Sequence, residues 1–149
     1  MRVLYTIGYE GSSMATFLAA LAEAGVTQLV DVRQAPVSRK PGFARRALAE
    51  ALGDAGIGYR HEGALGAPKT LRDQVRRDGD YTAFFSAYRL HLSEQWPRLE
   101  ALAREADDRM TLMCYERDVA TCHRLAVAEG ITAITGLEPT HLVPARATG

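Results

Sequence analysis

The sequence predicts one α/β domain, a mostly parallel central sheet of about five strands flanked by helices. Three observations carry that expectation. Short β-branched and aromatic runs alternate with longer segments at helical spacing along the whole chain. Residues 3–7 and 28–32 read as strands separated by a helical segment of about 11 residues, the pattern of a βαβ unit, which requires parallel pairing. The length, 149 residues, suits a single domain that buries roughly 70% of its unfolded surface and needs no covalent staple.

Each element has its own signal. Val3, Leu4, Tyr5, Thr6 and Ile7 make the first strand, and Gly8-Tyr9-Glu10-Gly11 the loop after it. Ser12 or Ser13 caps a helix over residues 14–24 that carries Phe17, Leu18 and Leu21, and Gly25 stops it in a left-handed conformation. The second strand, 28–32, runs into a polar loop, 33–42, kept irregular by Pro36, Pro41 and Gly42. A helix over 44–52 and a short third strand over 57–60 follow, then a loop over 61–68. Asp80 caps a helix bearing Phe84, Phe85, Tyr88 and Leu92 on one stripe, and Pro97 opens the next, with Leu99 and Leu102. Residues 110–114 are the fourth strand. A helix over 120–129 ends at Gly130, residues 131–134 read as a fifth strand, and 141–143 as a short last one. The domain is expected to span 1–143, with 144–149 a frayed tail.

Composition excludes several classes. Lysine plus arginine number 18, as do aspartate plus glutamate, so the net charge is zero and a globally basic nucleic-acid binder is disfavoured, although a local patch is not. The two cysteines, Cys114 and Cys122, cannot form a disulfide-rich scaffold. No stretch approaches the roughly 20 apolar residues of a membrane span, and Gly8 cuts the apolar start too short for a signal peptide. The chain reads as cytoplasmic, with reduced thiols and no membrane partner.

Reactive and charged residues gather just after strands. Tyr9 and Glu10 follow the first; Asp31 and Arg33 end the second, with Ser38 and Arg39 in its loop; His61 follows the third; Cys114, Glu116, Cys122, His123 and Arg124 lie at and after the fourth. Loops at the carboxyl ends of parallel strands share one rim, so these groups are expected to converge on one site. The alternative is that strand ends become polar wherever they leave a sheet. Cys122, near a helix start beside His123 and Arg124, is the candidate nucleophile through a lowered thiol pKa, with Cys114 the second thiol. Glu116 and His61 are the candidate acid–base groups. Both cysteines also fit as small apolar core residues.

Arg33, Arg39 and Arg124 present planar forks suited to phosphate or carboxylate, with Asp31, Tyr9 and His123 as further ligand-binding candidates; an Arg33 ion pair with Asp31 or Glu116 is the structural alternative. No cofactor is required. Cys114, Cys122, His123, Glu116 and His61 carry donor atoms for zinc, but the spacing is not that of a zinc knuckle. Cys122 and His123, adjacent on a helix, would diverge by about 100° and struggle to share one ion. The stripe of Tyr81, Phe84, Phe85 and Tyr88 reads chiefly as core, with base stacking the minority role, and His91 as an ordinary satisfied residue. Gly8-Tyr9-Glu10-Gly11 lacks the third glycine of a dinucleotide fingerprint.

Thr6-Ile7-Gly8-Tyr9, Leu29-Val30-Asp31-Val32-Arg33 with Pro36, Ser38 and Arg39, Gly56-Ile57 with Tyr59 and His61, Leu65-Gly66, Leu112-Met113-Cys114-Tyr115-Glu116 and Cys122-His123-Arg124 follow one another in an order that resembles the family known as domain of unknown function 488. The resemblance runs from about Arg2 to His141. Tyr9-Glu10 departs from it, since many members have histidine-serine there. The resemblance implies an intracellular, mostly prokaryotic α/β domain and leaves the reaction open.

The leading expectation is an enzyme acting on a small anionic, phosphate-bearing or nucleotide-like ligand at the sheet rim, with a thiol and a carboxylate. Two others stand beside it. One is a non-catalytic module for nucleotide or nucleic acid. The other is rhodanese-like sulfur transfer, weakened because Tyr115-Glu116-Arg117-Asp118 follows the cysteine where a loop of free backbone N–H groups is needed. The sequence leaves the oligomeric state open.

Overall fold

The side-chain alternation of the strands decides what covers each face of the sheet. In the computed structural model, which describes residues 2–148, Leu4, Val30, Leu112 and Cys114 face one layer of buried side chains, and Ile7, Leu29 and Met113 face the other. The described residues form five strands, β1 (Val3–Gly8), β2 (Gln28–Asp31), β3 (Gly58–His61), β4 (Arg109–Cys114) and β5 (Pro139–Leu142). All pair in parallel, in the order β3-β2-β4-β1-β5. Helices α1 (Met14–Ala24) and α2 (Arg45–Asp54) cover one face through Phe17, Leu21, Leu48 and Leu52. Helices α3 (Lys69–Asp78), α4 (Tyr81–Glu94), α5 (Trp96–Glu105) and α6 (Arg124–Thr135) cover the other through Leu71, Val75, Tyr88, Leu92, Leu99, Leu102, Val127 and Ile131. The result is the expected α/β domain, with the sheet parallel throughout.

This connectivity fixes where the sheet rim opens. Chain leaving β1 and β2 turns to the α1–α2 face, whereas chain leaving β4, which lies between them, turns to the α6 face. Adjacent strands whose loops part in opposite directions open a crevice at their carboxyl ends. Cys114 is the last residue of β4, paired in register with Gly8. The crevice therefore opens at the end of the Cys114 strand.

Two expectations about elements fail for identifiable reasons. Residues 131–134 are not a strand: α6 runs straight through Gly130 and ends at Gly136, whose φ of 80° is left-handed. Gly130 stops nothing. Its Cα faces Leu99 and Trp96 of α5, and a Cβ there would sit 2.5 Å from Leu99 Cδ2, so glycine permits the close approach of two helices. Residues 120–122 are also not yet helix. Val119–Thr121 form one 3-10 turn capped by Asp118, whose carboxylate accepts from the Ala120 N–H at 3.0 Å, and α6 starts only at Arg124. Helix α3 was not expected. It lacks a side-chain cap, and only Leu71 and Val75, four residues apart, tie it to the core. Beyond β5, Pro144 O accepts from Arg117 Nη2 at 2.7 Å, and the Ala147 N–H donates to Gly11 O at 2.8 Å. No helix among the described residues is long and apolar enough to cross a membrane.

Candidate active site

A cleft of about 500 Å³ opens at the end of β4. Tyr9 lines it from the loop after β1. Arg33, Gln34, Val37 and Arg39 line it from the loop after β2, and Cys114, Tyr115, Glu116, Thr121 and His123 from the chain after β4. Groups distant in sequence do meet at this rim, because the parallel strands bring their carboxyl ends to one side. Arg72, Val75 and Arg76 of α3 and Tyr81 and Phe84 of α4 complete the lining.

The floor is the turn from β4 into α6. Cys114 is buried with its sulfur 3.7 Å from His123 Nδ1 and 3.8 Å from Nε2. The His123 Nε2–H donates to Val32 O at 2.7 Å, a bond that sets the tautomer and leaves Nδ1 an acceptor. Tyr88 packs edge-on against the imidazole, centroids 5.3 Å apart, and its own hydroxyl donates to Leu65 O at 2.6 Å. Cys122 lies behind Cys114, away from the cleft lining, and 1% exposed. Burial, then the neighbouring Cys114, pushes its thiol well above the ordinary range. The expected lowering through a helix start is therefore absent. Cys122 precedes α6, in an extended conformation (φ −119°, ψ 136°), and is wrapped in apolar side chains. The same conformation overturns the expected divergence of Cys122 and His123. The two are not consecutive helical residues, and the donor atoms of Cys114, Cys122 and His123 lie within 4.8 Å of one another.

Glu116 lines the cleft two residues beyond Cys114, and its Oε2 is buried without a hydrogen-bond partner. Its backbone is held by Arg124. That guanidinium is 1% exposed, donating from Nη1 to Glu116 O and from Nη2 to Arg117 O at 3.5 Å. Gly8 allows this loop to come close, since a Cβ at Gly8 would lie 1.9 Å from Glu116 O. Arg124 thus shapes the floor from beneath and does not line the cleft.

Arg33 reaches the cleft with most of its donors engaged. Nε and Nη2 donate to Asp31 at 2.9 and 2.7 Å, and Nη1 to Tyr9 Oη at 3.2 Å and Phe43 O at 2.8 Å. Burial works against its charge, but the Asp31 carboxylate outweighs burial and holds the guanidinium more firmly protonated than usual. Asp31 is fully buried and also accepts from the Tyr59 hydroxyl at 2.6 Å, so that burial and Asp31 together push the Tyr59 phenol up. Asp31 and Arg33 are thereby a brace for the wall, with Tyr9 stacked on Phe43 at 4.5 Å completing it. His61 stands outside the cleft. Its Nε2–H donates to Arg33 O at 2.9 Å, and Nδ1 is 3.5 Å from Arg45 Nη1.

The lining arginines outside the Asp31 brace are Arg39, exposed in the loop after β2, and Arg72 and Arg76 of α3. Arg72 is aimed by bonds to Ala67 O and Gln34 Oε1, both 3.1 Å, and Arg76 stands 3.7 Å from Asp73 in an exposed pair. The last two were missed with their helix. Their signal was the i, i+4 spacing of Arg72 and Arg76 beside Leu71 and Val75, bracketed by Pro68 and Gly79. Of the aromatic stripe, Phe84 and Tyr88 are core as expected, whereas Tyr81 is exposed and lines the cleft, as does exposed Tyr115.

A family model described as domain of unknown function DUF488 matches residues 13–131, a span that runs from the cap of α1 into α6 and contains every wall of the cleft except Tyr9. No curated protein and no solved structure matches the chain.

Proposed function

The chain belongs to the family of domain of unknown function DUF488, and from that premise we propose that it is an enzyme acting on a small anionic, phosphate-bearing ligand of nucleotide-like shape held in the cleft at the end of β4. The observation that carries this reading is the cleft's polarity. With Arg33 neutralised by Asp31, the charged lining is Arg39, Arg72 and Arg76 against the single carboxylate of Glu116, a positive concavity on a chain of zero net charge. Low-dielectric walls focus such a field on an anion. Arginine forks match phosphate oxygens, and the exposed rings of Tyr81 and Tyr115 offer stacking faces to a flat ring.

The reacting end of the ligand meets the floor. Of the two sulfurs, Cys114 and not Cys122 lines that floor, beside the His123 imidazole. The unpartnered Oε2 of Glu116 is the proton acceptor for the attacking group. Arg124 and Gly8 fix the Glu116 backbone, and His61 fixes Arg33 O, so all three act by positioning.

Calorimetric titration with a mononucleotide, inorganic phosphate and a single-stranded oligonucleotide, followed by turnover assays on phosphate esters, tests the proposal. Saturable binding of one mononucleotide is expected, weakened about tenfold by Arg72→Ala, with turnover lost in Glu116→Gln. Oligonucleotide binding that falls steeply with salt, without mononucleotide binding, overturns it in favour of a nucleic-acid module.

A further inference from the structure

We infer that Cys114, Cys122 and His123 hold one zinc ion whose open coordination position faces the cleft. Two sulfurs and an imidazole nitrogen lie within 4.8 Å of one another in an otherwise apolar layer. Donors around tetrahedral zinc, at about 2.0–2.3 Å from the ion, stand roughly 3.5–3.8 Å apart. The Cys114–His123 separation is 3.7 Å, so side-chain adjustments on the order of 1 Å complete the set.

The imidazole is prepared for a metal. Its Nε2–H is committed to Val32 O at 2.7 Å, which leaves the lone pair on Nδ1, 3.7 Å from the Cys114 sulfur. A backbone carbonyl on the far nitrogen is the partner that orients a metal-bound histidine and raises its basicity. The donor set selects the ion: thiolates and imidazole favour zinc over magnesium or calcium, which want oxygen. Two thiolates also balance a divalent ion, which removes the cost of a net charge in this buried layer.

The path of the chain explains why these residues meet. Strand β4 delivers Cys114. The loop turns back through the 3-10 turn at Val119–Thr121, extended Cys122 returns to the strand end, and His123 sits where α6 begins. Arg124 pins the returning chain through Glu116 O and Arg117 O.

Three protein donors leave one tetrahedral position, the arrangement of catalytic rather than structural zinc. Cys114 and His123 line the cleft and Cys122 lies behind them, so the open position looks into the cleft. Glu116 Oε2, buried and without a partner, lines the same space and is the natural acceptor for a water bound there. Zinc in that position would polarise a phosphoryl oxygen or supply an activated water. Only this assigned use rests on the cleft reading; the binding of the ion does not.

Cobalt and zinc titration of the chelator-stripped, reduced protein tests the inference. One equivalent of Co²⁺ is expected to bind with thiolate-to-cobalt absorption and the visible bands of a tetrahedral site, and Zn²⁺ to displace it. Zinc should slow alkylation of both cysteines, and Cys122→Ser should weaken zinc at least about a hundredfold against a competing chelator. The wild-type spectrum decides the matter even if a variant misfolds. Absence of the thiolate–cobalt band, or a Cys114–Cys122 disulfide that persists in strong reductant and blocks metal uptake, overturns the inference. Arg72→Ala with Arg76→Ala separates the two readings, because it should abolish mononucleotide binding and leave zinc stoichiometry intact. Zinc without ligand defeats the cleft reading alone, and ligand without zinc defeats this one alone.

Discussion

Asp31 and Arg33 close on each other through a two-point ion pair, Nε to Oδ1 at 2.9 Å and Nη2 to Oδ2 at 2.7 Å, with the carboxylate fully buried and the guanidinium 6% exposed. Such a pair contributes little when compared with apolar residues of the same shape, but removing one partner strands the other. Asp31→Ala is therefore expected to destabilise the fold by about 3–5 kcal/mol in urea unfolding. Arg33→Lys should recover little of the pairing, because lysine cannot offer the fork. In a double-mutant cycle, removing both partners should cost clearly less than the two single losses added together. Strict additivity would show that the pair is not a unit.

The glycines Gly130 and Gly53, both inside helices, should respond to alanine with opposite signs. At Gly53 in α2, a Cβ meets nothing within 4 Å, so Gly53→Ala gains helix propensity, about 0.5–1 kcal/mol. At Gly130 the same Cβ would stand 2.5 Å from Leu99 Cδ2 and 3.4 Å from the Trp96 ring. Leu99 is fully buried and has no room to retreat. Overpacking of about 1–3 kcal/mol should outweigh the propensity gain, so Gly130→Ala should lower the melting temperature. A rise in both variants would mean that α5 and α6 slide apart freely.

Gly130 also marks the limit of what the sequence discloses. A glycine before a β-branched run reads as a helix stop followed by a strand, and nothing local distinguishes that from a glycine needed for contact with α5, some 30 residues away. Strands β1, β2 and β4, and α1 with its Ser13 cap, were legible because each carries a local period and a local stop. The convergence of Tyr9, Arg33, Cys114, Glu116 and His123 was legible because parallel topology forces it. Hidden from the sequence were the partners. His61 faces Arg33 O and Arg124 faces Glu116 O, and no spacing rule states which side of a loop a side chain will take. Helix α3 was hidden because an almost wholly polar segment needs only Leu71 and Val75 to dock.

Arg72 and Arg39 lead to a prediction about the ligand alone. Arg72 is aimed by Ala67 O and Gln34 Oε1, whereas Arg39 is exposed in the loop after β2. Orienting arginine in advance reduces the entropy lost when it grips an anion. Arg72→Ala should therefore weaken mononucleotide binding more than Arg39→Ala does, and Gln34→Ala should share part of the Arg72 loss. Thermal unfolding should remain within about 0.5 kcal/mol of wild type in all three, as for ordinary surface changes. Equal losses at Arg72 and Arg39, with Gln34→Ala neutral, would show that this orientation does not matter to binding.

His141 gives the fold a pH-sensitive edge. It sits on β5, where its Nδ1 shares a 2.7 Å hydrogen bond with Thr6 Oγ1 on β1. Partial burial, then the positive charge of Arg124, holds its pKa below the ordinary histidine value. Above about pH 6.5 the ring is neutral in both the folded and unfolded chain, and the full stabilisation is present. As pH falls below that value the unfolded chain takes up a proton that the folded chain refuses, so stability declines until the folded ring titrates too. His141→Gln keeps a polar partner for Thr6 and removes the titration. The variant should lose less melting temperature than wild type between about pH 6.5 and pH 5. Parallel curves across that window would mean that the proton is taken up equally in both states, and that neither burial nor Arg124 acts on this ring.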